Sequence, residues 1–283
     1  MSEEDIQIQP AVLEKMEVMA EHIKMLTAKT QSLPSFYALT KTVAAQDTDG
    51  GFYRLYSFIM QQAGISKAQL FQDLFVFWIL DGKMEGKFLE FGATDGLSLS
   101  NSHTLEHEFK WTGVLAEPSP QWHEKLKANR PDTTLLFDCI WTKTGQELDF
   151  FVSDHGVLST LSDFRESDKA SMPGNTSARN SGGSVVKVKT ISLNDVFVEH
   201  FDSSPIDYMS VDTEGSEYEI LKNFNFEEYG PTVLTVEHNF TDLQEKIDNL
   251  LFSKGYVRAF KAYTDFDAWY VKRSFLDSKT SAA

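Results

Sequence analysis

Glu90, Glu117, Asp138, Asp212 and Glu237, the last followed by His238, each stand at or just past the end of a short apolar run. Carboxylates at such positions accept hydrogen bonds from hydroxyl and amino groups, balance a positive charge or take up a proton. An unperturbed imidazole titrates near neutrality, at about 6.5, which suits it to proton transfer. Each carboxylate alone reads as a helix cap or a solvated loop residue. Together they are more telling, because open α/β sheets bind ligands outside the carboxyl ends of their strands.

The elements behind these tips follow from the hydrophobic pattern. Lys87–Phe91 reads as a buried strand that breaks at Gly92 and Gly96 and continues into a helix through Thr104 to Phe109. Glycines there let the backbone approach a ligand, and the helix start offers unpaired N–H groups. A carboxylate at Glu90 would repel a pyrophosphate but would welcome an amino group and a sulfonium, as in S-adenosylmethionine. Further strands are expected at 112–116, 134–137, 147–152, 185–189, 206–211 and 232–236, with helices at about 119–128 and 242–254. Residues 256–260 and 268–271 read as a closing antiparallel pair. Alternation of this kind predicts a largely parallel α/β sheet. Ser153 to Gly183 is polar and aperiodic, and reads as a lid over the site or as disorder. His155 and Arg165 within it are candidates for substrate contact.

Residues 1–86 are expected to be a helical extension to a domain spanning 87–283. Val12, Met16, Met19, Ile23 and Leu26 form one apolar stripe on a helix opened by Pro10, suited to packing on the chain or on a second copy, a homodimer. Ser66 and Gln69 look like a capping box for a helix whose Phe71, Leu74, Phe75 and Trp78 would pack on the sheet domain. Of the 283 residues, 26 are basic and 42 acidic, a net charge of −16. That acidity argues against a nucleic-acid substrate. Cys139 is the only cysteine, so no internal disulfide can form, and a reducing compartment is favoured. The start Met1-Ser2-Glu3-Glu4-Asp5 is unlike a secretory or transit peptide, and no apolar run is long enough to span a membrane. A cytoplasmic location is expected.

Three blocks resemble the signatures of FkbM-type methyltransferases. They are Phe88-Leu89-Glu90-Phe91-Gly92-Ala93-Thr94-Asp95-Gly96, Gly113-Val114-Leu115-Ala116-Glu117-Pro118, and Asp207 to Glu217 with its Asp212-Thr213-Glu214-Gly215-Ser216-Glu217 core. The closing Asp267-Ala268-Trp269-Tyr270-Val271-Lys272 is also similar. The resemblance runs from about Gln72 to Arg273 and leaves 1–65 without an inherited role. It implies a Rossmann-like seven-stranded methyltransferase sheet with an antiparallel last strand, S-adenosylmethionine, and methyl transfer to oxygen, commonly on sugars or natural products. On that footing Gly92, Ala93, Asp95 and Gly96 form the loop under the methionine part, with Glu90 balancing its amino group. Glu117, followed by Pro118, would accept the ribose hydroxyls as a fork. Asp138, Cys139 and Ile140 lie where adenine would sit, with Cys139 read as a small buried hydrophobe rather than a reactive thiol.

Methyl transfer to a hydroxyl needs alignment, exclusion of water and a base. Asp212 and His238 are the candidates for the base, with a structural histidine as the other reading of His238. Glu214 reads as a site residue, and Glu217 as a carboxylate at a helix start. Asp212, Glu214, Glu237 and His238 would also suit magnesium or manganese, although a metal-free site is preferred. His103 and His107, four apart, read as a solvated helix face. The leading expectation is an O-methyltransferase acting on a small molecule or a glycan. The alternatives are a binding or scaffold protein that has lost the chemistry, and a nucleotide-sugar or nicotinamide oxidoreductase. The last is disfavoured by Glu90 and by the lack of a full G-x-G-x-x-G.

Overall fold

A computed structural model describes residues 50–282, and the chain divides into two compact units between Ile65 and Ser66. In the first unit, helix α1 (Gly51–Gln62) buries Phe52, Leu55 and Ile59, at helical spacings of three and four. The stripe from Val12 to Leu26, on which the homodimer expectation rests, lies outside the described residues.

The second unit is organised by a seven-stranded sheet. Its strands are β1 (Lys87–Phe91), β2 (Thr112–Ala116), β3 (Thr134–Leu136), β8 (Tyr208–Val211), β9 (Val233–Glu237), β10 (Tyr256–Ala259) and β11 (Asp267–Lys272), in the spatial order β10-β11-β9-β8-β1-β2-β3. Strands β3, β2, β1, β8 and β9 run parallel, and β11 is antiparallel to both β9 and β10. The expected Rossmann-like seven-stranded fold is therefore present. The central strands are nearly continuous apolar runs because helices cover both faces of a parallel sheet; β8 is buried at every position. Leu89, Met209, Val211, Leu234 and Val236 join Phe197, Phe224, Ile247 and Leu251 in one core. Each such side chain contributes about 1.5–3 kcal/mol on full burial.

Helix α2 (Gln72–Ile79) belongs to the second compact unit, which runs from Ser66. Phe75 stacks on Trp269 of β11 at 4.4 Å between ring centroids. The capping box at Ser66 and Gln69 does not form. Instead the Asp73 carboxylate accepts hydrogen bonds from Ser66 Oγ (2.7 Å) and the Lys67 N–H (3.1 Å), closing a turn before α2. Helices α3 (His103–Phe109) and α4 (His123–Asn129) follow β1 and β2.

A second sheet is inserted after β3. Strands β4 (Cys139–Trp141), β5 (Glu147–Ser153), β6 (Thr160–Leu161) and β7 (Gly183–Ser192) lie in the order β4-β7-β5-β6. Ser153 to Gly183 is thus neither a bare lid nor disordered. It carries β6, two 3-10 turns and helix α5 (Pro173–Arg179). Helices α6 (Leu193–His200), α7 (Glu217–Leu221), α8 (Phe226–Tyr229), α9 (Leu243–Ser253) and α10 (Arg273–Ala282) complete the unit. Gly255, with φ +84°, stops the helical run just beyond α9 and takes the left-handed conformation of a helix end.

Candidate active site

The turn after β1 is set by backbone space. Gly92 has φ +81°, and a Cβ there would sit 1.9 Å from the carbonyl oxygen of Asp212. Only glycine lets the ends of β1 and β8 approach this closely. The N–H groups of Gly92 and Ala93 both donate to the Ala116 carbonyl, which ties the turn to β2 (3.1 and 3.3 Å).

A cavity of about 420 Å³ opens along the carboxyl ends of β2, β1, β8 and β9. This lies within the roughly 300–1,000 Å³ of small-molecule sites. Of the residues read from the sequence as cofactor-binding, Glu90, Gly92, Ala93, Glu117, Pro118, Cys139 and Ile140 line it, as do Asp212 and Glu214 from the proposed chemistry. Asp95, Gly96, Asp138 and His238 do not. Asp95 is spent within its own loop, where Oδ1 accepts from the N–H groups of Leu97 and Ser98 (2.9 and 2.7 Å). Asp138 stands half-buried between β3 and β4, while Cys139 and Ile140 of the second sheet line the cavity. Burial pushes the Cys139 thiol up to about 12, so it is an inert hydrophobe.

His238 is a structural histidine. It is buried, its Nδ1 accepts from the Phe240 N–H (3.1 Å), and its Nε2 donates to the Asp267 carbonyl (3.1 Å). Both ring nitrogens are occupied, which fixes the neutral tautomer. Burial, then the Arg258 charge, pushes its pKa down to about 4.

Glu90 lines the cavity and is also bonded to the loop after the glycine turn. Its Oε2 accepts from Ser100 Oγ (3.0 Å), the Ser102 N–H (3.1 Å) and Ser102 Oγ, and its Oε1 accepts from the Asn101 N–H (2.8 Å). The carboxylate organises the 100–102 turn. Burial pushes its pKa up, against the opposing Arg130 charge and these hydrogen bonds. Glu117 accepts from the N–H groups of Thr94 and Ser119, one on each oxygen at 2.8 Å, leaving a lone pair on each. Burial raises its pKa to about 7 despite those bonds.

Asp212, Glu214 and Glu237 come together opposite these groups, one carboxylate oxygen from each lying within 4.8 Å of the others. Burial and then the Glu217 charge push Asp212 up to about 7. Burial and then the Asp212 charge push Glu214 and Glu237 up as well. Glu217 itself accepts from the N–H groups of Thr213 and Gly215 and from Thr213 Oγ1, as expected of a carboxylate at a helix start.

Glu214 is held in a left-handed conformation, φ +59°. Thr160 Oγ1 donates to the Thr213 and Glu214 carbonyls, and Arg179 Nη2 donates to Glu214 Oε2 (2.7 Å). Arg179 is fully buried and also binds both oxygens of Asp168. The inserted segment therefore locks an otherwise unfavourable turn. His155 from that segment lines the cavity, while Arg165 lies over the Phe151 ring at 3.6 Å and does not.

The sequence reading missed Gln72, Asn101, Asp267 and Arg179. Gln72 Nε2 donates to Asp267 Oδ2 (2.9 Å), and Gln72, Asn101 and Asp267 all line the cavity. Asn101 Oδ1 and Glu237 Oε2 are buried oxygens without a hydrogen-bond partner.

A family model for the methyltransferase FkbM domain matches residues 90–258. The chain belongs to the FkbM methyltransferase family. No curated protein matches it significantly. Several solved structures are similar to the chain at low identity. Fibrillarin from Methanococcus jannaschii, a pre-rRNA processing protein, is 11% identical with a TM-score of 0.34, covering 67% of this chain and 66% of its own. A TehB-like SAM-dependent methyltransferase from Corynebacterium glutamicum is 8% identical with a TM-score of 0.37, covering 78% and 96%. Aeropyrum pernix fibrillarin, in complex with natively bound S-adenosyl-L-methionine, is 11% identical with a TM-score of 0.36, covering 72% and 74%.

The FkbM domain is that of an S-adenosylmethionine-dependent methyltransferase, and the residues present fit this cofactor. The tight turn at Gly92 and Ala93 brings backbone to the cavity wall. Glu117 keeps free lone pairs for a diol. Ile140 and Cys139 give the same cavity an apolar wall. No helix among the described residues is long and apolar enough to cross a membrane.

Proposed function

We propose that this FkbM enzyme methylates a hydroxyl oxygen on a small molecule or a glycan, with Asp212 and Glu237 as the group that receives the hydroxyl proton. Bound S-adenosylmethionine supplies the activated methyl group. Glu117 would hold the ribose, Ile140 and Cys139 would pack on the adenine, and the Gly92–Ala93 turn would lie under the methionine part.

The observation that carries the reading is the convergence of Asp212, Glu214 and Glu237 on the cavity. A base whose pKa stands near 7 is matched to a neutral working pH, and Asp212 meets that condition. Three carboxylates also accept hydrogen bonds from a polyhydroxylated acceptor and repel a phosphorylated one. With a net charge of −16, this disfavours nucleic acid as the acceptor. The inserted segment lines the cavity with His155, Leu158 and Met172, where it would help to exclude water. The single buried cysteine supports a cytoplasmic location.

A second reading rests on the same cluster. Three hard oxygen donors within 4.8 Å of one another can hold magnesium or manganese, which would orient a diol acceptor. Manganese relaxation titration of wild type and Asp212→Asn distinguishes the readings; no site-dependent binding removes the metal.

Calorimetry with S-adenosylhomocysteine tests the cofactor, and Glu117→Ala should weaken binding at least about tenfold, the loss of one hydrogen bond to a charged group. A screen of glycans and polyols with isotopically labelled methyl donor tests the acceptor. Label found only on nitrogen or carbon would overturn O-methylation.

A further inference from the structure

Asn101 is nine-tenths buried and lines the cavity, yet its Oδ1 has no hydrogen-bond partner. Buried polar atoms are nearly always paired, so an orphaned acceptor on a residue that lines a cavity points to a ligand donor. The orphan is held in place from both ends. The Asn101 N–H donates to Glu90 Oε1 (2.8 Å), and its Nδ2 donates to Ser210 Oγ on β8 (2.9 Å). With one Nδ2–H given to Ser210 Oγ, Oδ1 is the atom of this amide left without a partner.

The carboxylate expected to meet the cofactor's amino group is already engaged. Glu90 is 4% exposed, its Oε2 takes three hydrogen bonds from the 100–102 turn, and its Oε1 takes one from the Asn101 N–H. Glu90 pairs in register with Ser210, so the carboxylate and the amide lie side by side where β1 and β8 end. A carboxylate beside a neutral acceptor suits an ammonium, which brings three N–H donors and a positive charge.

We propose that Asn101 Oδ1, rather than the Glu90 carboxylate, accepts a hydrogen bond from the α-ammonium of the cofactor's methionine part, with Glu90 and Ser210 as the residues that position it. This rests on the S-adenosylmethionine reading of the cavity and assigns the selectivity for an amino-acid tail to one side chain.

The test is calorimetry of the full chain with S-adenosylhomocysteine, its desamino analogue and methylthioadenosine, which lacks the whole amino-acid tail. Wild type should prefer S-adenosylhomocysteine over the desamino analogue by about 10- to 100-fold, the span of one hydrogen bond to a charged group. Asn101→Ala should abolish most of that preference while methylthioadenosine affinity stays within about twofold. Ser210→Ala, which frees the amide to turn, should reduce the preference even where Asn101→Ala does not fold. Wild type failing to bind S-adenosylhomocysteine at all would remove the cofactor reading beneath the proposal. Binding without discrimination between the two homocysteine ligands would overturn the proposal alone. Discrimination that survives in the folded variants, or an equal loss for all three ligands, would also overturn it.

Discussion

Replacing Arg179 by methionine removes a guanidinium with no solvent exposure and five hydrogen bonds. Nε donates to the Leu158 carbonyl (2.8 Å), Nη1 to the Arg165 carbonyl (3.0 Å) and Asp168 Oδ1 (2.7 Å), and Nη2 to Asp168 Oδ2 (3.1 Å) and Glu214 Oε2 (2.7 Å). Methionine fills a similar volume, so the loss is electrostatic rather than a cavity. Removing one partner of a buried ion pair costs about 3–5 kcal/mol. Asp168 keeps its bond from Thr176 Oγ1 (2.6 Å), which places the expected loss near the middle, about 4 kcal/mol. Burial pushes the Asp168 carboxyl up, but hydrogen bonds from Arg179 and Thr176 outweigh it and hold the group below its ordinary value. A depressed carboxylate stabilises the fold above its unfolded pKa, about 3.9, and that stability is lost as pH falls through the folded value. In Arg179→Met the unpaired carboxyl takes up its proton at higher pH than in wild type. The gap between the two proteins should therefore be widest at pH 7 and narrow toward pH 4. Urea unfolding followed by tryptophan fluorescence at several pH values reads this directly. A loss under about 1 kcal/mol at pH 7, or a gap that does not change with pH, would refute the reasoning.

Gly92→Ala should lower stability by more than about 1 kcal/mol, because its φ is positive and the new methyl meets the Asp212 carbonyl; thermal melting checks the loss, and S-adenosylhomocysteine binding should fall with it. Asp212→Asn should cut kcat about 100-fold or more and flatten its rise through pH 7, where wild type gains activity as Asp212 gives up its proton. His238→Gln should retain turnover within a fewfold of wild type, measured once a methyl acceptor is in hand, because the ring lies off the cavity and braces the 238–240 turn against the Asp267 carbonyl.

The tips of the strands were readable because period and burial act together: a buried parallel strand is an apolar run, and the first polar residue after it marks the rim. This brought Glu117, Asp212 and the Gly92 turn to the cavity wall. The same logic put His238 on the rim, whereas it does not line the cavity. Glu237 points into the cavity and the next residue along the chain turns away, so adjacency in sequence did not mean a shared site. Ser153–Gly183 looked structureless because it has few apolar residues. It is ordered by buried Arg179, Asp168 and Thr160 through hydrogen bonds that no hydrophobic period records. Asn101 was invisible for a related reason, since its importance lies in an oxygen left unpaired by Ser210, about a hundred residues away.

The four-stranded sheet from β4 to β7 enters the chain after β3 and leaves before β8, and it pairs with itself rather than with the main sheet. The part beyond β4 contributes one wall of the cavity and almost none of the glycine turn or its carboxylates. Divergence within this cassette can therefore re-tailor the chamber while the donor pocket stays as it is. Chimeras that exchange residues 142–192 between relatives become a practical route to new methylation targets, provided Arg179 and its clasp on Glu214 travel with the graft.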